Sequence, residues 1–409
     1  MAFISVPRKP EAMEDVEITD VQATQVDADW SWTFVRVYTD AGVTGTGEAY
    51  WGGGVGDIVE GECRDRLLGE DPRDIGPLVH ELFEYTSATG SLAGTTVSAI
   101  AGIDVALHDL AGKLEEQPAY QLLGGKFRDA PRVYVDCHAG AHLGGAHDPA
   151  DRDAHDVDIY APESYADAAE VVVDEGFDAI KFDLDASKRY EKDRHNRHLN
   201  AEAIDYKASV VEAVTERVGH DADVAFDCHW NYAGESATKL AQAVEDYDVW
   251  WLEDVVPPEN LDVQREVTRA SETSICAGEN LYRTHGVRQL IEEQAVDVLQ
   301  PDMPKFGGMF ETARAAWSAS DYYIPVALHN VSSPLGTVAS AHVGAAIPNF
   351  LALEWHGRDD PDWPEFVEED SVIEDGGIPL SDDPGLGVTL DLDTVAEFVA
   401  DGETVLDEE

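Results

Sequence analysis

Six times between Phe226 and Glu354 an apolar run stops and one charged or imidazole side chain stands directly after it. The series is Asp227, Glu253, Glu279, Asp302, His329 and Glu354, preceded by runs such as Val224-Ala225-Phe226 and Val249-Trp250-Trp251-Leu252. Brought together, Asp227, Glu253 and Glu279 would repel one another and have their pKa values raised unless a hard cation sat among them. They are therefore read as ligands of one divalent metal ion, with Mg²⁺ favoured because every donor is oxygen and water or substrate can fill the remaining octahedral positions. Asp302 and His329 read as a dyad in which the carboxylate fixes the tautomer and the imidazole takes a proton near the metal. Glu354 closes the ring as a hydrogen-bond partner to substrate or to an enolate oxygen, able to donate only where burial keeps it protonated.

The intervals between these residues are 23 to 27, the length of one strand, one helix and two short connections. Such a count predicts a parallel (β/α) barrel, whose strands end at the mouth where the chemistry sits. Arg132 to Cys137 is the expected first strand and Asp178 to Asp183 the second. Before them, residues 16–50 read as an antiparallel meander, and Ala99 to Lys113 as a helix with Ile100, Ile103, Ala106, Leu107 and Leu110 on one face. The expected organisation is an α+β domain over 1–130, a barrel over 131–355 and a C-terminal segment, 356–409, packing back on the first domain. Two long loops, 138–163 and 184–203, follow the first two barrel strands. They carry His138, His142, His147, His155, His195 and His198.

The chain has 409 residues, 83 acidic against 27 basic, for a net charge of −56 spread from end to end. That charge repels nucleic acid and anionic membranes, and it keeps a protein soluble where salt screens it, so we read a halophile's cytoplasmic protein. A cation store or a disordered acidic chain fits poorly with 44% hydrophobic residues and nine tryptophans. Cys63, Cys137, Cys228 and Cys276 lie far apart in no zinc-binding spacing and are expected as buried free thiols. No signal core and no bilayer-length apolar stretch is present in the sequence.

With these residues in order, Lys181, Asp227, Glu253, Glu279, Asp302, His329 and Glu354, and with the helix Ala101-Gly102-Ile103-Asp104-Val105-Ala106-Leu107-His108-Asp109, the chain resembles the enolase superfamily in its mandelate racemase and muconate lactonizing branch. The resemblance implies a modified (β/α)₇β barrel of TIM type capped by the N-terminal α+β domain, one Mg²⁺, and removal of the proton α to a substrate carboxylate to give an enediolate. It also implies a homo-oligomer, from dimer to octamer. In the racemases the second strand ends in Lys-x-Lys, whereas here Lys181-Phe182-Asp183 places Asp183 second, which argues against two-base racemisation. Asp227-Cys228-His229 sends His229 to the same side as Asp227. That histidine is similar to the one which protonates a departing 3-hydroxyl in the acid-sugar dehydratases. The run His329-Asn330-Val331-Ser332-Ser333-Pro334-Leu335-Gly336 also resembles galactonate and related aldonate dehydratases. The expected enzyme is a carbon–oxygen lyase that turns an acid sugar such as xylonate, arabinonate, gluconate or galactonate into a 2-keto-3-deoxy acid. His329 would be the base, His229 the acid and Lys181 a stabiliser of the dianion.

Each residue also has a plainer role. A strand-end carboxylate often caps the next helix, and His229 could be a hydrogen-bonded structural histidine. Asp183 could be an outer-sphere partner of Lys181 or a strand-end cap. Trp30, Trp32, Trp51 and Gly52-Gly53-Gly54 lie where the family's cap loops close over substrate, and core packing is the competing role for the tryptophans. Tyr190 and Arg194, on the loop after the second strand, are candidate substrate contacts. Gly307-Gly308 reads as a tight turn. A hydroxy-acid racemase or epimerase, or a metal-binding protein without catalysis, are the competing functions.

Overall fold

The computed structural model of the protein describes residues 15–28, 30–140 and 158–406; the side chain of Arg194 and the histidines His142, His147 and His155 lie outside the described residues. The chain starts with the antiparallel meander β1 (Ile18–Asp27), β2 (Ser31–Thr39) and β3 (Thr44–Ala49). Alternation splits β2 between two cores. Trp32 and Phe34 belong to a cluster shared with the barrel, while Val35 and Val37 belong to the cluster under the cap helices α1 (Ile75–Tyr85) and α2 (Thr95–Leu114).

The predicted apolar face of α2, from Ile100 to Leu110, lies in that second cluster. The helix begins at Thr95, ahead of the predicted Ala99: Thr96, Val97 and Ser98 are weak helix formers, but tertiary packing buries them and holds them in it. Strand and helix approach closely: a Cβ on Gly102 would stand 2.8 Å from Ala49 Cβ. Glycine at 102 is what allows that distance.

Eight parallel strands form the barrel: β4 (Val133–Cys137), β5 (Ala179–Asp183), β6 (Asp223–Asp227), β7 (Val249–Glu253), β8 (Ile275–Ala277), β9 (Val298–Leu299), β10 (Val326–Leu328) and β11 (Phe350–Trp355). They close in the order β10-β11-β4-β5-β6-β7-β8-β9. Seven helices connect them: α3 (Pro162–Asp174), α4 (Ala201–Val218), α5 (Gly234–Ala243), α6 (Leu261–Ala270), α7 (Arg283–Glu292), α8 (Gly308–Ser320) and α9 (Pro334–Ala346). This is the capped (β/α)₇β barrel that the spacing and the resemblance predict. β9 is short because Pro301 has no N–H to give the ladder. A bridge between Asp302 and His329 resumes the pairing beyond it.

One interior layer draws a residue from every strand: Tyr134, Ala179, Ala225, Trp251, Cys276, Val298, Ala327 and Ala352. Two large rings and small partners fill the barrel below its mouth. After β11 the chain returns to the cap. Leu386 N–H donates to Asp109 of α2 at 2.9 Å, the helix α10 (Leu392–Phe398) follows, and Val399 pairs antiparallel with Val26 on the outer edge of β1. All four cysteines are buried and free. No helix among the described residues is long and apolar enough to cross a membrane.

Candidate active site

Strand alternation carries the interior layer upward by two residues to Asp136, Lys181, Asp227, Glu253, His329 and Glu354, all buried. Glu279 and Asp302 join from the connections after β8 and β9. The rings below hand hydrogen bonds up to this level. Trp251 Nε1 donates to Glu253 Oε2 at 2.9 Å, Gln300 Nε2 donates to the Tyr134 hydroxyl at 3.0 Å, and that hydroxyl donates to Glu354 Oε2 at 3.3 Å.

Carboxylate oxygens of Asp227, Glu253 and Glu279 lie within 4.8 Å of one another. Burial, and then the Glu253 carboxylate, push Asp227 well above the usual carboxylate range. Burial also raises Glu354, against the pull of Lys181 and His329. Lys181 Nζ donates to Glu253 Oε1 at 2.7 Å and lies 2.6 Å from Glu354 Oε1 and 3.7 Å from Asp227 Oδ2. Burial opposes its charge, but Glu253 and Glu354 outweigh that and hold the ammonium protonated. Lys181 thus supplies one positive charge at the meeting point of Asp227, Glu253 and Glu354. The all-oxygen donor set of Asp227, Glu253 and Glu279 fits a hard divalent cation.

His329 is held at both ring nitrogens. Nδ1 is 2.7 Å from Asp302 Oδ2, while Nε2 is 3.1 Å from Glu279 Oε2 and 3.7 Å from Glu354 Oε2. Burial disfavours its charge, yet Glu279, Glu354 and Asp302 raise its pKa to about 10. Asp302 is itself pinned, since Oδ1 accepts from the Lys305 N–H at 3.0 Å and caps its own short helical turn. Across the mouth, His229 Nε2 is 3.4 Å from Asp227 Oδ2, and Nδ1 is 2.8 Å from Asp185 Oδ1. Burial again opposes the charge, and Asp227 and Asp185 raise this ring to about 11. His229 and Trp230 have φ of 42° and 55°, a left-handed conformation costly for side chains of this size. The Trp230 indole N–H donates to the buried Asp254 carboxylate, which secures the turn.

Lys181, Asp227, His229, Trp230, Glu279, His329 and Glu354 line one cavity of about 240 Å³, together with Trp30, Tyr50 and Trp51 of the cap and Val331, Asp136, His138, Asp183 and His356 of the barrel. Asp183 lines the cavity, with its carboxylate 3.9 Å from His229 Nε2 and 4.0 Å from His138 Nε2. Trp51 lines the cavity and stacks on Tyr50 at 5.7 Å. Trp32 stands apart, in the core edge-on to Phe366, and reaches the site only through its indole N–H to the Val331 carbonyl at 3.0 Å. Tyr190 also stands apart: half-exposed, it packs at 6.0 Å on Tyr206. Gly307 and Gly308, both at positive φ, form the turn into α8.

Sequence reasoning missed Asp136, Asp185, Tyr50 and His356. The signal for two of them was present, because Asp136-Cys137-His138 and Glu354-Trp355-His356 repeat the alternation that singled out Asp227-Cys228-His229. Tyr50 and Asp185 carried no such signal, lying just past the ends of β3 and β5.

Two family models match the chain: the mandelate racemase / muconate lactonizing enzyme N-terminal domain over residues 16–124, and the enolase C-terminal domain-like family over residues 164–394. A D-xylonate dehydratase of Haloferax volcanii is 54% identical over 398 residues, covering 97% of this chain and 92% of the relative. A D-galactonate dehydratase family member of Oceanicola granulosus is 31% identical, over 94% of this chain and 95% of the relative. The crystal structure of a mandelate racemase/muconate lactonizing enzyme-like protein from Rubrobacter xylanophilus superposes with a TM-score of 0.88 at 39% identity, covering 96% of this chain and 100% of that one. The chain belongs to the enolase superfamily, in its mandelate racemase and muconate lactonizing branch.

Proposed function

We propose that this protein is a Mg²⁺-dependent dehydratase of acid sugars, converting a five- or six-carbon aldonic acid to its 2-keto-3-deoxy acid. The observation that carries this reading is the disposition of two histidines about one carboxylate cluster: His329 Nε2 lies 3.1 Å from Glu279 and His229 Nε2 lies 3.4 Å from Asp227. A base and an acid held on different flanks of one site suit removal of a C2 proton and departure of a C3 hydroxyl in one substrate. The relatives named for D-xylonate and D-galactonate support the substrate class, and the 54% identity makes xylonate the first candidate.

Asp227, Glu253 and Glu279 would hold the cation, which when bound supplies the positive charge that makes a proton next to a carboxylate acidic. With a cation held by Asp227, Glu253 and Glu279 offsetting the carboxylates that raise it, the His329 ring is neutral; oriented by Asp302, it then takes the C2 proton, and the C–H electron pair moves into the carboxyl group. Lys181, fixed between Glu253 and Glu354, keeps a full positive charge beside the developing negative charge. The C3–O bond then breaks as His229 gives its proton, releasing water and an enol. Protonation at C3 and loss of the enol proton yield the ketone. With Lys181 clamped and Asp183 where the racemases carry a second lysine, the Lys-x-Lys arrangement of two-base racemisation is not made.

The test is a panel of xylonate, arabinonate, gluconate and galactonate with Mg²⁺ in molar KCl, scored for 2-keto-3-deoxy acid. We expect xylonate to give product. Exchange of the C2 proton in D₂O with no loss of water would select an epimerase instead.

A further inference from the structure

Above the level of the metal carboxylates the barrel mouth carries a second tier of polar side chains, and it is one-sided. His356, His138, Asp183 and His229 follow Glu354, Asp136, Lys181 and Asp227 by two residues each, on or just beyond β11, β4, β5 and β6. Those four strands are consecutive in the barrel order, so the tier forms one continuous arc. Its members are in sequence: His229 Nε2 lies 3.9 Å from Asp183 Oδ1, Asp183 Oδ2 lies 4.0 Å from His138 Nε2, and both His138 Nε2 (3.6 Å) and His356 Nε2 (2.9 Å) face Asp136 Oδ2. Trp30 of the cap closes the far end, its ring edge-on to His356 with centroids 4.3 Å apart. All of these line the cavity that also holds Asp227, Glu279 and His329.

We infer that the far end of this arc, Asp136 with His138 and His356, is the subsite that binds the hydroxyls of the acid sugar beyond C3 and so selects their configuration. The inference rests on the dehydratase reading. With C2 at His329 and C3 at His229, the rest of the substrate chain has the wall at Asp183 before it and Asp136 beyond. A carboxylate accepts from a hydroxyl while an imidazole N–H donates to one, so the pair can satisfy a vicinal diol. Burial penalises the Asp136 charge, but His356 and His138 outweigh it and hold the carboxyl well below its usual range, ready to accept. A second divalent ion is the competing occupant, since ligand atoms of the same three residues lie within 4.8 Å of one another. Direct pairing of His356 with Asp136 at 2.9 Å favours the hydrogen-bonding role.

The experiment compares kcat/KM for the preferred acid and for its C4 epimer in wild type, Asp136→Asn, His356→Gln and His138→Gln, with metal content measured by mass spectrometry and folding checked by Tm. The expected result is a loss of about 10- to 100-fold on the preferred acid, with the epimer changed less than about threefold, so that discrimination collapses in at least one folded variant. Equal losses on both acids overturn the inference, as does a second equivalent of metal that disappears in the variants. A wild type that dehydrates no aldonic acid overturns the dehydratase reading itself, a different outcome from a wild type that is active but whose discrimination survives all three substitutions.

Discussion

Glu48, on the last cap strand, accepts from Ser333 at the start of barrel helix α9: the Ser333 N–H lies 3.2 Å from Oε1, and the Ser333 hydroxyl and the Gly336 N–H, at 3.1 Å, donate to Oε2. A carboxylate there satisfies amide donors that the first turn of a helix leaves without partners. Asp104 of the cap does the same for α8, where it accepts from the Met309 and Phe310 N–H groups. The helix α8 follows Asp302 and α9 follows His329. One cap carboxylate thus braces each half of the dyad.

Glu48 makes that brace sensitive to pH. Burial raises its carboxyl to about 7 from an ordinary 4.5, against the donors from Ser333 and Gly336. The native state therefore holds the proton more tightly than the unfolded chain. Its stabilisation is complete below about pH 4.5 and is lost as pH rises through about 7, a change on the order of 3 kcal/mol. Glu48→Gln cannot titrate, so the unfolding free energy of wild type minus that of the variant should fall by this order between pH 4.5 and 8 at fixed KCl. A pH-independent difference would contradict the assignment.

Metal ligation has a signature in stability as well as in rate. Mg²⁺ at a hundred times its Kd should stabilise wild type by about 2.7 kcal/mol, and EDTA should reverse the gain. Asp227→Asn, Glu253→Gln and Glu279→Gln should each lose most of that response and at least about 1,000-fold in kcat while remaining folded, since each removes one anionic donor. Full Mg²⁺-dependent stabilisation in all three would remove the cation from this cluster.

The two histidines should separate in D₂O. His329→Asn is expected to lose both dehydration and exchange of the C2 proton, each by roughly 100-fold or more, whereas His229→Asn should lose dehydration and keep exchange. Proton NMR of the substrate reads both. Exchange kept by His329→Asn and lost by His229→Asn would reverse the roles.

Salt should stabilise the fold. With a net charge of −56, self-repulsion falls as the Debye length shrinks from about 10 Å at 0.1 M to about 3 Å at 1 M. Tm followed from 0.1 M to 2 M KCl should rise, and a flat profile would mean that ion pairing already neutralises the surface.

The barrel was legible because each inward strand end breaks an apolar run with one charge, a contrast that survives in a single sequence. Asp227 after Phe226 and Glu354 after Leu353 announce themselves in this way. Asp136 is marked only by its alternation with His138, since it sits inside Tyr134-Val135-Asp136-Cys137 and otherwise reads as a polar interruption of a strand. The cap was legible as a meander and a helix, but the way it meets the barrel was not. Trp32 and Trp30 are two residues apart, yet the first is packed in the core against Phe366 while the second lines the site, a difference decided by neighbours some 330 residues away. Glu48 and Asp104 likewise carry no local mark of the helix ends they cap.

The pairing of Val399 with Val26 has a consequence in time. Gly69, Glu70 and Glu60 cover the first part of the outer edge of β1, at Ile18 and Ala23, but the edge at Gln25 and Val26 stays open until Val399 and Ala400 arrive from beyond the whole barrel. Unpaired strand edges recruit other strands. A product that stops short of Phe398 would therefore expose a sticky edge on a protein otherwise kept apart from its copies by charge.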